Sequence, residues 1–385
     1  MKVSDSLFKW MVEIRRTIHR TPELGFTEHK TSALICRKLQ ELGLDYTAGV
    51  AGTGVLGRIT TRSGSKTIAV RADMDALPVS EETGLEFASC VPGVMHACGH
   101  DGHVAIALGA AALLKENPPP GNVLFVFQPD EEGTGGAKPM VEAGVLNGVS
   151  AIFGGHLDLH YKTGEIAIKP GVNTAFTNGF DVEITGRGGH AARPHEAIDS
   201  VLIACQMVLQ IQTIVSRMID PLSPAVITIG KIQAGTVNNA IAENALIKGT
   251  IRTIDTITRE TIFNKLHALA GSLAGFYNAE IKVTIHSGYP SVVNDPGMYE
   301  IAKEAAILAA GREKVIEFPN PVMGGEDFAF FAQIVPACFV RYGALGNTNE
   351  HAGSAHSSRF DFDETAMITA AGFMANAVTM ALKKL

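Results

Sequence analysis

Cysteine is scarce in this chain. Cys36, Cys90, Cys98, Cys205 and Cys338 are an odd, scattered set in 385 residues. That excludes a disulfide framework and points to free thiols in a reducing compartment. Basic charge is not in excess either: the net charge is −7, and no basic stripe interleaved with aromatics marks a nucleic-acid surface. Met1-Lys-Val-Ser-Asp-Ser-Leu-Phe8 lacks the apolar core of a secretory signal, and no apolar run of about 18 residues stands out. The expectation is a cytoplasmic protein with no membrane partner. Gly-x-Ser-x-Gly, Walker A and a well-placed Gly-x-Gly-x-x-Gly are all missing, so nucleophilic serine chemistry and nucleotide binding lack support. Internal repeats and low-complexity stretches are also missing. What remains is 46% apolar and 18% charged, a globular composition at a length that suits two or three domains.

Against that background one stretch is crowded with chemistry. Met95-His-Ala-Cys-Gly-His-Asp-Gly-His103 holds three histidines, a cysteine and an aspartate in nine residues. A single buried histidine or cysteine is usually packing, but packing does not call for three imidazoles so close together. Cys98 and His100 share a face only on extended backbone. Asp101 and Gly102 then look like the start of a helix, because Val104 to Leu114 is a long apolar run. A thiolate and an imidazole presented there suit a transition metal. His96 and His103 read as supporting or structural residues.

The rest of the chain supplies partners. Two helical stripes fill residues 5 to 43, interrupted by His19-Arg-Thr-Pro-Glu-Leu-Gly-Phe26, and turns are expected at Gly52 to Gly57 and Ser63 to Ser65. Three apolar strands follow, and each runs into polar residues. Thr67 to Arg71 precedes Asp73 and Asp75, Asn122 to Gln128 precedes Asp130, Glu131 and Glu132, and Ser150 to Phe153 precedes His156. Apolar runs alternating with helices predict a largely parallel sheet, whose ligands bind beyond the carboxyl ends of the strands. Near residue 178 the pattern changes to half-wet strands in the order β-α-β-β-α-β, as in a ferredoxin-like sandwich. Apolar α/β patterning then resumes, with a helix at Met298 to Ala310, a strand at Ala337 to Tyr342 and a helix at Glu364 to Lys383. Glu350-His351, His356, Glu326 and Asp327 lie in this last part. The fold class is therefore α/β: a catalytic domain with a mixed, largely parallel sheet over 1–177 and 289–385, and an inserted ferredoxin-like lid over 178–288.

Cys98, His100, Glu132, His156 and His356 are five potential ligands, one more than a closed structural zinc takes. They could serve two ions about 3.5–4 Å apart if one ligand bridges or water fills positions. Adjacent glutamates can divide the work, one as ligand and its neighbour as general base.

With these residues in order, the chain resembles the metallo-amidohydrolases that include hippurate hydrolase, N-acyl-amino-acid amidohydrolases and indole-acetyl-amino-acid hydrolases. The likeness spans the whole length. It runs through Arg71-Ala-Asp-Met-Asp-Ala-Leu-Pro78, the Met95–His103 stretch, Phe127-Gln-Pro-Asp-Glu-Glu-Gly133, Gly188-Gly-His-Ala-Ala-Arg-Pro-His195, Gly249-Thr-Ile-Arg-Thr253, Gly324-Gly-Glu-Asp-Phe328 and His356-Ser-Ser-Arg-Phe360. The resemblance implies that Cys98, His100, Glu132, His156 and His356 bind up to two divalent ions. Zinc or manganese is expected, with cobalt and nickel as alternatives. It further implies Glu131 as general base, His190 as a lid histidine that polarises the scissile carbonyl, and Arg252 and Asn239 near the substrate carboxylate. Asp73 and Asp75 would orient ligands, and His160 and His195 have no task. Asn178 stands where relatives often have Asp, and Ala240-Ile-Ala242 replaces the usual apolar-apolar-Pro. The implied activity is hydrolysis of N-acyl-amino acids to a carboxylic acid and an amino acid, by a homodimer joined through the lid. Rival readings are a dipeptidase or aminopeptidase of the same fold, and an inactive metal-binding protein.

Overall fold

The computed structural model describes residues 1–61, 65–346 and 353–385. Ser63 of the expected turn and the Glu350-His351 pair lie outside them. The described residues form two compact units: Met1–Asn173 with Val292–Asn320 and Asp327–Leu385, and Thr174–Ser291 with Pro321–Glu326.

The first unit opens with α1 (Asp5–Arg20) and α2 (His29–Glu41). Ser4 starts α1 by accepting the Leu7 N–H, and Met11, Ile14 and Ile18 fall on one buried face at helical spacing. Next come β1 (Asp45–Val50), β2 (Gly54–Ile59), β3 (Thr67–Asp73), α3 (His100–Glu116), β4 (Asn122–Gln128), β5 (Val149–Lys162) and β6 (Ile166–Ile168). The turn expected at Gly52 to Gly57 is mostly strand β2, because pairing with β1 and β4 outweighs two glycines. An eight-stranded sheet runs β1-β2-β4-β3-β5, then Ala337–Leu345, β6 and Val315–Glu317. Its centre is parallel: β3 pairs in parallel with both β4 and β5, and Ala337–Leu345 pairs in parallel with β5. Both faces are covered, one by α1, α3, Met298–Ala306 and the closing helix, the other by a smaller cluster around Phe328, Phe331 and Phe339. This explains the unbroken apolar runs in β3 and β4. Parallel strands also bring their carboxyl ends, and the residues that follow them, to a single edge.

A buried ion network ties α1 to this edge. Arg15 donates to Asp101 (3.0 Å), Glu364 (3.0 Å) and Asp361 (2.8 Å). His19 reaches the same Asp101 oxygen through Nδ1 at 2.9 Å, and Glu81 through Nε2 at 3.3 Å. Burial alone would lower the His19 pKa, but its bonds to Asp101 and Glu81 win and raise it to about 9. A folded-state value above the unfolded one (about 6.5) stabilises fully below pH 6.5, and the gain disappears as pH rises through 9. On the order of 3 kcal/mol is at stake. Urea unfolding midpoints should therefore fall between pH 6.5 and 9 in the wild type and much less in His19→Gln. Parallel pH profiles would refute the assignment.

The second unit is an antiparallel four-stranded sheet in the order Ala225–Ala234, Asn244–Thr253, Phe176–Thr185, Glu280–Ser287. Numbered along the chain this is 2-3-1-4, the ferredoxin-like arrangement expected, with helices Ser200–Thr213 and Thr256–Tyr277 in the two crossovers. Asp199 and Asp255 cap those helices with their side chains. Compared with the expected 178–288, this unit starts four residues earlier and ends three later. The reason is local: Thr177 N–H donates to Tyr289 C=O, Ser291 Oγ to Thr174 C=O, and Ala175 N–H to Gly324 C=O.

One expectation fails. Two helices are long and apolar enough to cross a membrane by length and composition, Ser200–Met218 (mean hydropathy 1.4) and Ala366–Lys384 (1.3). The second is two-thirds buried in the first unit. The first buries Ile203, Ala204, Met207, Ile211 and Ile214 in the core of its own unit. Interspersed Gln, Ser and Thr in the first, and Thr and Asn in the second, hide both from a search for unbroken apolar runs.

Candidate metal centre

The edge of the first sheet gathers the expected ligands. Helix α3 begins at His100 itself, one residue before the expected start. Gly99 caps it with φ +89°, a left-handed turn that L side chains rarely adopt and that lets Cys98 and His100 converge. Glu131 and Glu132 follow β4, and His156 lies within β5. His356 sits in a turn at φ +69°, where its N–H donates to Ala97 C=O at 2.7 Å and so joins the late segment to Cys98.

The ligand atoms of Cys98, His100 and His156 lie within 4.8 Å of one another. So do those of Cys98, Glu132 and His356, and those of His100, Glu131 and Glu132. Hydrogen bonds set the tautomers. His100 Nδ1 faces two acceptors, Asp75 C=O (3.0 Å) and Asp75 Oδ1 (3.1 Å), so it carries the proton and leaves the Nε2 lone pair free. His156 Nδ1 donates to Leu157 C=O at 2.6 Å, which leaves its Nε2 facing Cys98 Sγ at 3.3 Å. His356 Nε2 lies 2.9 Å from Glu132 Oε1, and that carboxylate raises the His356 pKa. His100 Nε2 and Glu132 Oε1 are buried without a hydrogen-bond partner. Orphaned lone pairs converging on one space are costly unless a cation satisfies them, so this donor set fits divalent ions.

The charges around Cys98 and His156 agree with this. Burial pushes the Cys98 thiol well above its ordinary range, so a nearby cation is needed to hold a thiolate. Burial, with the neighbouring His103 and Arg341, keeps His156 well below the usual range and therefore neutral. His100 runs the other way: burial would lower it, but Asp73 and the Asp75 hydrogen bond outweigh it and raise it, so a cation at Nε2 must displace a proton there.

Asp73 and Asp75 are placed differently from each other. Asp75 touches the candidate ligand His100 directly, whereas Asp73 bonds His103 Nδ1 at 2.6 Å and lies 3.7 Å from His100 Nε2. The other His103 nitrogen accepts the Leu157 N–H at 2.9 Å, so His103 braces the strand that carries His156. His96 is buried with neither ring nitrogen bonded, and burial lowers its pKa to about 4. His160 and His195 are exposed. Asp327 accepts from Arg71, Gln128 and the Ala137 N–H, a buried framework for the loop after β4.

In the second unit, His190 and Ala240 are partners in a short two-stranded ladder, and Ala191 N–H donates to Asn239 C=O. The fold thus sets His190 beside Asn239. His190 Nδ1 accepts the Ala192 N–H at 3.0 Å, which puts the ring proton on Nε2 as a donor. Arg252 is half-buried on strand Asn244–Thr253, burial lowers its pKa, and it has no ion-pair partner among the described residues.

The sequence pattern that defines peptidase family M20/M25/M40 matches residues 69–380. The chain belongs to that family. Among M20 relatives, thermostable carboxypeptidase 1 of Saccharolobus solfataricus is 43% identical, over 92% of this chain and 91% of that one. N-acetyl-L-cysteine deacetylase of Bacillus subtilis is 39% identical, over 96% and 87%. The crystal structure of the Bacillus subtilis YXEP protein, described as a dinuclear metal binding peptidase from the M20 family, superposes with a TM-score of 0.88 at 34% identity, and the match covers both chains in full. Sequence reasoning passes over Glu28, Arg15 and Arg71. Arg71 ends an apolar strand, but Glu28 lies in a polar stretch and Arg15 stands beside Arg16 on a helix, and the completeness of their burial appears only in three dimensions.

Proposed function

We propose that this M20 hydrolase is a metal-dependent amidohydrolase that cleaves N-acyl-amino acids to a carboxylic acid and a free amino acid. The observation that carries the reading is the convergence of Cys98, His100, Glu132, His156 and His356 with Glu131 beside Glu132. These five residues would hold up to two divalent ions, zinc or manganese first, which when bound would acidify water and polarise the amide carbonyl. Glu131 takes the proton of the attacking water and returns it to the leaving amine. The Nε2–H of His190 donates to the developing oxyanion. Arg252, with Asn239, receives the carboxylate of the amino-acid part. A guanidinium with no ion-pair partner among the described residues supports that role over an internal salt bridge. Two subunits pair through the second unit, a reading supported by exposed Leu202, Leu209 and Met218 on its first helix.

The relative named a deacetylase supports the amidohydrolase reading, and the relative named a carboxypeptidase favours a second one in which the acyl part is a peptide. Both need a free carboxylate. A panel of acetyl-, benzoyl- and indoleacetyl-amino acids beside N-blocked dipeptides separates them. In the same panel, Arg252→Lys should lower kcat/KM on N-acyl-amino acids by about 10- to 50-fold, as a bidentate pair is lost, yet barely change the matching N-acyl amines. Equal losses on both would return Arg252 to a structural role.

A further inference from the structure

The peptide N–H groups on either side of Glu131 are both held by buried carboxylates. Glu132 N–H donates to Asp75 Oδ2 at 3.0 Å, and Asp130 N–H donates to Glu28 Oε1 at 3.0 Å. Glu28 stands at the entry to α2 with none of its surface exposed, and its other oxygen accepts from the Thr53 hydroxyl. Between these anchors Asp130 adopts φ +49°, in the left-handed region that residues with a Cβ seldom occupy. Such a conformation persists only where its surroundings over-determine it. Here they do. Asp130 Oδ2 accepts the Thr134 N–H (2.8 Å) and hydroxyl (2.6 Å), and Asp130 C=O accepts the Gly136 N–H at 2.8 Å. Asp130 Oδ1 rests against Gly25 and Gly133, where any Cβ would collide with it.

The segment that carries Gly25 and Glu28 braces the Asp75 side as well. Ala76 N–H donates to Glu23 C=O at 2.9 Å, and Leu24 bridges to Ala76. Residues 23–28 therefore grip both the loop after β3, which carries Asp75, and the loop after β4, which carries Glu131 and Glu132. No residue of that segment belongs to the ligand set.

We propose that Glu28, with Gly25 as the close-packed surface opposite Asp130, is a positioning residue that aims Glu131 at its proton. The proposal rests on the reading of Glu131 as general base. A base works only within hydrogen-bond reach of the proton it removes, and a displacement of about 1 Å can cost on the order of 10²-fold. Without the Glu28 carboxylate the buried Asp130 N–H loses its acceptor, and the left-handed turn loses one of the bonds that enforce it.

The test is a double-mutant cycle with Glu131→Gln, read by steady-state kinetics and by metal content per chain. Glu28→Ala should lower kcat by roughly 10- to 30-fold, with KM and metal content unchanged. Gly25→Ala should do the same by displacing Asp130, and it serves in the cycle if Glu28→Ala does not fold. Glu28→Gln should keep most of the activity, because an amide oxygen still accepts the Asp130 N–H and its NH2 still reaches Thr53. In the Glu131→Gln background the further loss should shrink below about 3-fold, since residues that act as a unit are non-additive. Equal losses in both backgrounds, or a loss carried by KM or metal content, would overturn the positioning role while leaving the base assignment intact. Full activity in Glu131→Gln alone would overturn the base assignment, and the role of Glu28 with it.

Discussion

Glu131→Gln is expected to lower kcat by at least ~10²-fold with the metal content unchanged. Glutamine keeps the shape and the hydrogen-bonding reach of the side chain but cannot accept the proton of the attacking water. Its neighbour gives the matched control. Glu132 Oε1 lies among the donor atoms of Cys98, His100 and His356, with no hydrogen bond of its own. Glu132→Gln should therefore release metal, and its activity should return as the metal concentration rises. Metal analysis of both variants after dialysis, with kcat measured at saturating metal, distinguishes the two roles. Activity restored by added metal in Glu131→Gln but not in Glu132→Gln would mean that the pair is assigned the wrong way round.

His190→Ala should cost roughly 10²–10³-fold, the usual effect of removing one oxyanion donor. The neutral ring is already set for donation, because the Ala192 N–H occupies Nδ1 and the proton sits on Nε2. In a two-fold dimer each chain can offer a residue to the other's site, and we expect His190 to act in that way. Inactive His190→Ala chains mixed with inactive Glu131→Gln chains should then regain activity. Each heterodimer would own one site with both residues intact. The level should approach a quarter of the wild type if exchange is complete and random, since half the dimers are mixed and each has one of two sites working. A mixture that stays inactive while its subunits demonstrably exchange rules out donation across the interface.

Much of the centre is legible in the amino-acid sequence. Cys98 and His100 stand in a crowded loop, and Glu132 and His156 follow apolar runs that a parallel sheet must deliver to one edge, whereas His356 stands apart from both patterns. Element types are legible for the same reason. Strands β3 and β4 and the ferredoxin-like order of the second unit follow from apolar periodicity, which records burial. Less local features are harder to see. Strand β2 hides behind its glycines, because its stability comes from pairing with strand neighbours, one of them far away in sequence. The two long helices are legible as helices, but their hydropathy is not, because scattered polar residues interrupt the apolar runs without exposing the buried face.

The sequence by itself determined the types of the candidate ligands, the adjacent carboxylates of Glu131 and Glu132, and the alternation that builds the sheets. Those depend on side-chain chemistry and on near-neighbour spacing, both of which are written in the chain. Only the tertiary structure decided which nitrogen of each histidine is free, that His103 braces Asp73 and the His156 strand, and that Glu28 holds the turn before Glu131. A tautomer is set by the acceptor that meets the other nitrogen. For His100 that acceptor is Asp75, 25 residues away, and for Asp130 N–H it is Glu28, 102 residues away. Partners at such separations meet only when the chain has folded, and burial then makes each bond strong because no water competes for it.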